Sequence, residues 1–285
     1  MATELEIKLT LSEQAQAQAV DWLLAQPQAA LGERKTLLNR YYDTADAALN
    51  QAKAALRVRQ AGDRYIQTLK TQGEFVGGAH RRQEWEWPLP SSELDLTLLA
   101  QTPLSDQLDL QRLHLAFETN FSRQVIMLEA AGSVIEVAVD SGNIVGGDQS
   151  RPLHEVEFEL KSGQPESLMT WARALADEVP VFLNLVSKAE QGYYLAGLYQ
   201  PEEVTAESSL TVTQWLHQLS RSWLKGSALN IPESSLALVQ QKAAACDFLD
   251  IWAQVQSEIG NGCTAQELIQ RVPRLGVLQL ALAAD

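Results

Sequence analysis

At 285 residues, with 46% hydrophobic and 20% charged residues, the chain has the balance of one large globular domain or a domain with an appendage. A net charge of −14 opposes a general nucleic-acid surface, and no apolar run approaches the roughly 18–20 residues of a membrane span, so neither nucleic acid nor membrane is an expected partner. Cys246 and Cys263 lack metal-type spacing and the chain opens into a charged strand with no secretory leader, which makes the cytoplasm the expected compartment.

Glu4, Glu6 and Lys8 alternate with Leu5, Ile7 and Leu9. Side chains alternate across a strand, so this first strand has two carboxylates and a cation on one face and only apolar groups on the other. Ser12 caps a helix to about Gln26, with Val20, Leu23 and Leu24 on one side, and Pro27 ends it. Lys35–Asp43 reads as a strand and Thr44–Gln51 as a short helix or turn. Ala55–Arg59 and Tyr65–Lys70 are strands joined by Ala61-Gly62-Asp63-Arg64, a hairpin signal. Gly77-Gly78 marks Glu74–Ala79 as a mobile loop. Arg82–Trp87 is a strand stopped by Pro88 and Pro90, and a helix follows from Ser91 or Ser92 to about Ala100. A long strand spans Leu113–Glu129, Ser133–Asp140 pairs with it across Ala131-Gly132, and Val156–Leu160 is a further strand. Pro165–Glu178 and Ser187–Leu198 are helical. Gln200–Ser209 has the composition of a linker. Beyond it Trp215, Leu216, Leu219 and Trp223, then Leu236–Ile259 and Ala265–Ala283, show helical spacing alone.

Sorted by strand parity, the charged residues fall on single faces. Arg57 and Arg59 share one, as do Arg82, Glu84 and Glu86; Glu136 and Asp140; and Glu155, Glu157 and Glu159. Lys70 and Arg123 lie in strands, and Lys188 opens a helix. The opposite faces are apolar: Leu56 and Val58, Trp85 and Trp87, Ile135, Val137 and Val139, Val156, Phe158 and Leu160. One face of an antiparallel sheet ordinarily meets water, but short turns and several covering helices suit a sheet curled with its charged face inward. Burying an unpaired ion costs several kcal/mol, against a domain stability of about 5–15 kcal/mol. Such an interior must therefore be a wet tunnel whose charges pair with each other or with a ligand. Arg and Lys hold phosphate oxygens, and paired carboxylates hold magnesium or manganese. Glu84 and Glu86 divide between tunnel charges and partners of the arginines, Glu136 is as well placed on a surface, and His80 and His154 read as loop histidines.

The ordered set Glu4-x-Glu6-x-Lys8, Leu56-Arg57-Val58-Arg59, Thr68-Leu69-Lys70, Arg82-x-Glu84, Glu155-x-Glu157-x-Glu159 and Ser187-Lys188-Ala189 resembles the CYTH family, the triphosphate tunnel metalloenzymes, over residues 1–200. Tyr41-Tyr42-Asp43-Thr44, Gly77-Gly78-x-His80 and the Gly-x-x-Tyr after Ser187-Lys188-Ala189 are most similar to the bacterial inorganic triphosphatases. The resemblance implies an α+β fold, a closed eight-stranded antiparallel β-barrel flanked by helices, with a small helical region over 207–285. It implies metal-dependent hydrolysis of tripolyphosphate to diphosphate and phosphate, with Mg2+ or Mn2+ on Glu4, Glu6, Glu157 and Glu159, assisted by Asp140 or Glu155. Lys8, Arg57, Arg59, Lys70, Arg82, Arg123 and Lys188 would grip the phosphates, and Glu4, Glu6 and Lys8 would serve catalysis. Class IV type adenylate cyclase, hydrolysis of thiamine or nucleoside triphosphates, and a non-catalytic polyphosphate-binding module are the alternatives. An α-helical CHAD domain often follows in the bacterial enzymes. This tail is shorter, with five basic against nine acidic residues from Pro201 onward; homodimerisation is one role open to it.

Overall fold

The computed structural model describes the chain apart from residues 1, 72, 103, 105–111, 203–209, 230 and 285. Strand β1 (Ala2–Thr10) leads into helix α1 (Glu13–Leu24), whose cap Ser12 accepts from the Ala15 amide at 3.1 Å. β2 (Ala29–Asp43) starts at Ala29 rather than Lys35. Asp43, fully buried, then accepts from the amides of Thr44, Leu49 and Asn50 and so fixes the single turn α2 (Ala48–Gln51). β3 (Ala55–Ala61) and β4 (Arg64–Lys70) form the expected hairpin. The stretch expected as a mobile loop is instead a second hairpin, β5 (Glu74–Val76) against β6 (Ala79–Leu89). Gly77 and Gly78 supply its turn with φ of 54° and 80°.

The helix expected from Ser91 is a 3-10 turn over Leu96–Gln101, because Asp95 caps it at the Thr97 amide. With Leu94 it covers Trp85 and Trp87, which are the outer cladding their parity implied. β7 (His114–Ala130), β8 (Ser133–Gly146) and β9 (Gln149–Ser162) form a long meander. Then come α3 (Glu166–Glu178), the two-residue strand β10 (Phe182–Leu183) and α4 (Lys188–Leu195). The expected linker falls, from 203 to 209, outside the described residues. Helices α5 (Val212–Lys225), α6 (Glu233–Ala245), α7 (Leu249–Gly260), α8 (Ala265–Arg271) and α9 (Leu275–Ala283) complete the chain.

The sheet runs β1-β9-β8-β7-β2-β3-β4-β6, and β6 pairs back onto β1, so eight antiparallel strands close a barrel. β10 extends the β1 edge at Leu9 and Thr10. The outward residues of β1, β8 and β9 join one large core with α1, α3 and the tail helices: Ile7, Val137 and Phe158 meet Leu23, Leu168, Leu219, Trp252 and Leu278. Trp215 packs on Trp252 at 5.8 Å between centroids, whereas Trp223 lies against Phe182 of β10 and Arg151 of β9. The tail is thus laid on the barrel wall. Among the described residues no helix is long and apolar enough to cross a membrane.

Gln279, fully buried on α9, joins the tail to the barrel. Its amide accepts from Leu183 N at 2.9 Å and donates to Leu183 O at 3.1 Å. Gln279→Leu strands both backbone groups, at about 1–3 kcal/mol each. We expect the urea midpoint to fall by an amount equivalent to about 2–4 kcal/mol; an unchanged midpoint would rule out this role.

The interior is not wet throughout. Helix α4, with a Ser187/Glu190 capping box, enters the lumen and lines part of it with apolar side chains. Tyr41 stacks on Phe117 at 4.5 Å and Tyr193 meets Phe117 edge-on at 4.8 Å. Leu37, Phe121, Ile144 and Leu153 enclose Leu195. A Cβ on Gly192 would lie 2.0 Å from the Phe117 ring, so only glycine lets the helix seat here. The charged tunnel is the part of the lumen that α4 leaves open.

Candidate active site

Strand register, not local sequence, assembles the charges. Lys8 faces Glu157 and Glu6 faces Glu159 across β1–β9; Glu136 pairs with Glu159 and Asp140 with Glu155 across β8–β9. Arg123 faces Asp140 across β7–β8, Glu4 faces Arg82 across β1–β6, and Lys70 faces Glu84 across β4–β6. Arg57 and Arg59 face Tyr41 and Asn39. Every site residue expected from the sequence is therefore on the lumen side, and Lys188 reaches it from α4.

Two ion networks result. At one, Glu4 accepts from Lys70 at 2.8 Å and Arg82 at 3.1 Å; Arg82 also holds Glu6; Glu84 bridges Lys70 at 3.3 Å and Arg57 at 3.7 Å. At the other, Arg123 grips Asp140 with two bonds of 2.7 and 2.6 Å and reaches Glu157 at 2.9 Å. Lys188 sits among Glu155, Glu157 and Asp140 at 2.6, 2.7 and 3.0 Å. Gln191 donates to Glu155 at 3.3 Å, and Lys8 donates to the carbonyl of Val186. Glu136 and Glu159 share Lys161 at 3.7 and 2.7 Å near the rim.

Arg59 differs. Its Nε donates to Asn39 Oδ1 at 2.8 Å, and among the described residues no carboxylate pairs with it. Burial, then the neighbouring charges of Arg57 and Arg123, pull its pKa down to about 9.

The carboxylates split by environment. Burial pushes Glu4 up, but Lys70 and Arg82 outweigh it and hold it at about 2. Burial also raises Glu157, yet Lys188 and Arg123 hold it well below the usual range. Glu6 goes the other way: burial, aided by Glu157 and Glu4, exceeds the pull of Arg82. Glu159 is likewise raised by burial, with Glu4 and Glu136 adding to it. Burial opposes the charge on Lys188, but Glu155, Glu157 and Asp140 raise it well above normal.

Glu4 makes a pH test. Its folded pKa of about 2 lies below the unattached value of 4.5, so its stabilisation is complete above pH 4.5 and is lost as pH falls through 2. The amount is on the order of 3 kcal/mol. Glu4→Gln is expected to flatten the stability curve across that interval, read by denaturant titration at stepped pH; a curve parallel to wild type would refute the assignment.

Among the described residues no three carboxylate, histidine or cysteine side chains converge on one point as the cations now hold them. The donor set nevertheless fits a hard divalent cation. Burial raises Glu6 and Glu159, with Glu157 and Glu4 adding to it at Glu6 and Glu4 and Glu136 at Glu159, and a metal bound by oxygen ligands offsets that cost. Asp140 and Glu155 fit less well: both Asp140 oxygens are engaged by Arg123, and Glu155 by Lys188 and Gln191.

Sequence reasoning missed Asn39, buried between Arg59 and the Thr119 carbonyl (2.6 Å), and Gln191. The shared parity of Asn39, Tyr41 and Asp43 was the available signal for the first. Glu84 proves to be a partner of arginine and lysine. His80, expected in a loop, stands in β6 opposite Glu6 on the lumen face. His154 lies in β9, its Nδ1 3.2 Å from Gln16 Oε1 of α1.

Known proteins share this design. The CYTH domain model matches residues 2–193. An inorganic triphosphatase of Haemophilus influenzae is 34% identical over 229 residues, which are 79% of this chain and 60% of that protein; the chain thus spans less than two thirds of that relative's length. A solved Hippeastrum protein, the adenylyl cyclase candidate HpAC1 with a dominant triphosphatase activity, superposes with a TM-score of 0.51 at 19% identity, covering 68% of this chain and 96% of that one. The closed eight-stranded tunnel and the match over two thirds of its length place the chain in the CYTH domain family.

Proposed function

We propose that the protein is a divalent-metal-dependent inorganic triphosphatase that converts tripolyphosphate to diphosphate and phosphate in the tunnel. The observation that carries this reading is charge of both signs lining one lumen, with the half-buried Arg59 held without a carboxylate partner among the described residues. Such a cation calls for an anionic ligand. The likeness to the Haemophilus inorganic triphosphatase supports the choice of anion.

Arg57, Arg59, Lys70, Arg82, Arg123 and Lys8 face the lumen and bind the phosphate oxygens. Glu4, Glu6, Glu157 and Glu159 would hold Mg2+ or Mn2+, which when bound would supply charge neutralisation on the phosphate oxygens. Asp140 and Glu155 act through Arg123 and Lys188, holding them in place. Water attacks the terminal phosphorus, the bond to the bridging oxygen breaks, and the arginines stabilise the charge that moves onto the departing diphosphate. A phosphate that takes Lys70 and Arg82 would release Glu4 and Glu6 from those cations and leave their oxygens free to hold a divalent ion.

The test is a panel of tripolyphosphate, ATP and thiamine triphosphate with Mg2+ or Mn2+. Phosphate release fastest from tripolyphosphate is the expected result. Cyclic AMP from ATP, or tight binding of all three without turnover, overturns it. A cytoplasmic homodimer belongs to the same reading, supported by free Cys246 and Cys263 and by exposed Leu238 and Leu249 on the tail. Light scattering on the full chain is expected to give twice the chain mass; the mass of one chain ends the dimer.

A further inference from the structure

We propose that His80 is a substrate-contacting residue, its imidazole Nε2 donating a hydrogen bond to a phosphate oxygen held between Lys8 and Arg82. The inference rests on the triphosphate reading of the tunnel and adds a residue to it.

β1 pairs with β6 only from Ala2↔Glu84 to Glu6↔His80, then turns to β10 at Leu9 and Thr10. His80 stands where the two strands part. It shares the lumen face with Glu6 and Arg82, and Lys8 is the next residue of β1 on that face. Its Nε2 is buried and has no hydrogen-bond partner among the described residues. Of the cations beside it, Arg82 is paired with Glu4 and Glu6, whereas Lys8 has the Val186 carbonyl and no carboxylate partner among the described residues. Buried ring nitrogens without partners are uncommon, and each one asks for a reason.

The ring is held while its nitrogen is left free. Phe75, directly across the β5–β6 hairpin, meets it edge-on at 5.3 Å, and His217 of α5 meets Phe75 edge-on at 5.9 Å. The tail thus braces the hairpin that carries His80. Burial first, then Lys8, Arg82 and His217, keep the ring neutral. A neutral imidazole has one N–H to give, and with the proton on Nε2 this one lacks only the acceptor. A phosphate oxygen drawn in by Lys8 and Arg82 is that acceptor, and a neutral donor adds no third cation to the place.

The experiment uses the full chain, metal-free buffer and tripolyphosphate as the probe, with calorimetric titration and the 15N resonances of labelled histidine. Wild type is expected to bind and to shift the His80 Nε2 resonance. His80→Phe is expected to bind on the order of tenfold more weakly, and His80→Gln, which keeps an N–H within reach, to recover most of that loss. His217→Phe is expected to bind as wild type. A His80→Phe protein that binds undiminished, or a His80 resonance that stays still while wild type binds, overturns the proposal and leaves the triphosphate reading standing. If His80→Phe does not fold, the wild-type resonance alone decides. A wild-type chain that binds tripolyphosphate neither in this buffer nor with Mg2+ added overturns both.

Discussion

Asp140→Asn is expected to destabilise the ligand-free protein by about 3–5 kcal/mol, the cost of leaving a buried charge without its partner. Asp140 is 0% exposed, and its two oxygens take both bonds of the Arg123 fork as well as Lys188 at 3.0 Å. Around it Asp140, Glu155 and Glu157 balance Arg123, Lys188 and Lys8. The amide keeps the shape, loses the charge, and presents an N–H to a guanidinium. For a chain of this size the melting temperature should fall by on the order of 10 °C. Arg123→Met with Asp140→Leu removes donor and acceptor together and should cost less than the two single changes summed, since the residues share one network. Glu6 and Glu159, whose charged forms burial and neighbouring acids already disfavour, would behave oppositely: their loss relieves that cost, so ligand-free stability would hold and only metal affinity would drop. A denaturant midpoint for Asp140→Asn equal to wild type would return Asp140 to the ligand set.

That contrast marks where the sequence stopped being readable. Strand parity is local, so Glu4, Glu6 and Lys8 could be assigned to one face from their spacing, and the same rule found Arg57, Arg59 and the Glu155 series. Which carboxylate meets a metal and which meets an arginine is set by partners far along the chain, such as Arg123 for Asp140 and Lys188 for Glu155. Helix α4 has ordinary amphipathic spacing; nothing local says that Tyr193 and Leu195 enter a barrel, because the reason lies in Phe117, Phe121 and Ile144 on other strands. The β5–β6 hairpin was hidden by its three-residue strand, too short for alternation to register. The tail's apolar faces were plain, but their destination on β1, β9 and β10 is a tertiary fact.

Arg59→Met is expected to move stability and activity in opposite directions. In the ligand-free protein Arg59 is a half-buried cation bonded to a neutral amide, and loss of solvent, then repulsion by Arg57 and Arg123, brings its pKa from 12.5 to about 9. A depression of that size corresponds to a few kcal/mol set against the charged form. Methionine fills similar volume without the charge, so the variant is expected to unfold later than wild type, by about 1–4 kcal/mol. The same change removes a donor aimed at the phosphates, and kcat/KM on tripolyphosphate is expected to fall by about 100-fold or more, near 2.7 kcal/mol of transition-state binding. Arg82→Met is the control with the other sign: it takes the cation from Glu6 and leaves Glu4 to Lys70 alone, and it should lower stability as well as turnover. Tripolyphosphate should raise the melting temperature of wild type more than that of Arg59→Met, because only wild type gains the missing partner on binding. A less stable Arg59→Met protein with intact turnover would mean that Arg59 is satisfied within the fold, and the strongest reason for placing an anion in the tunnel would be gone.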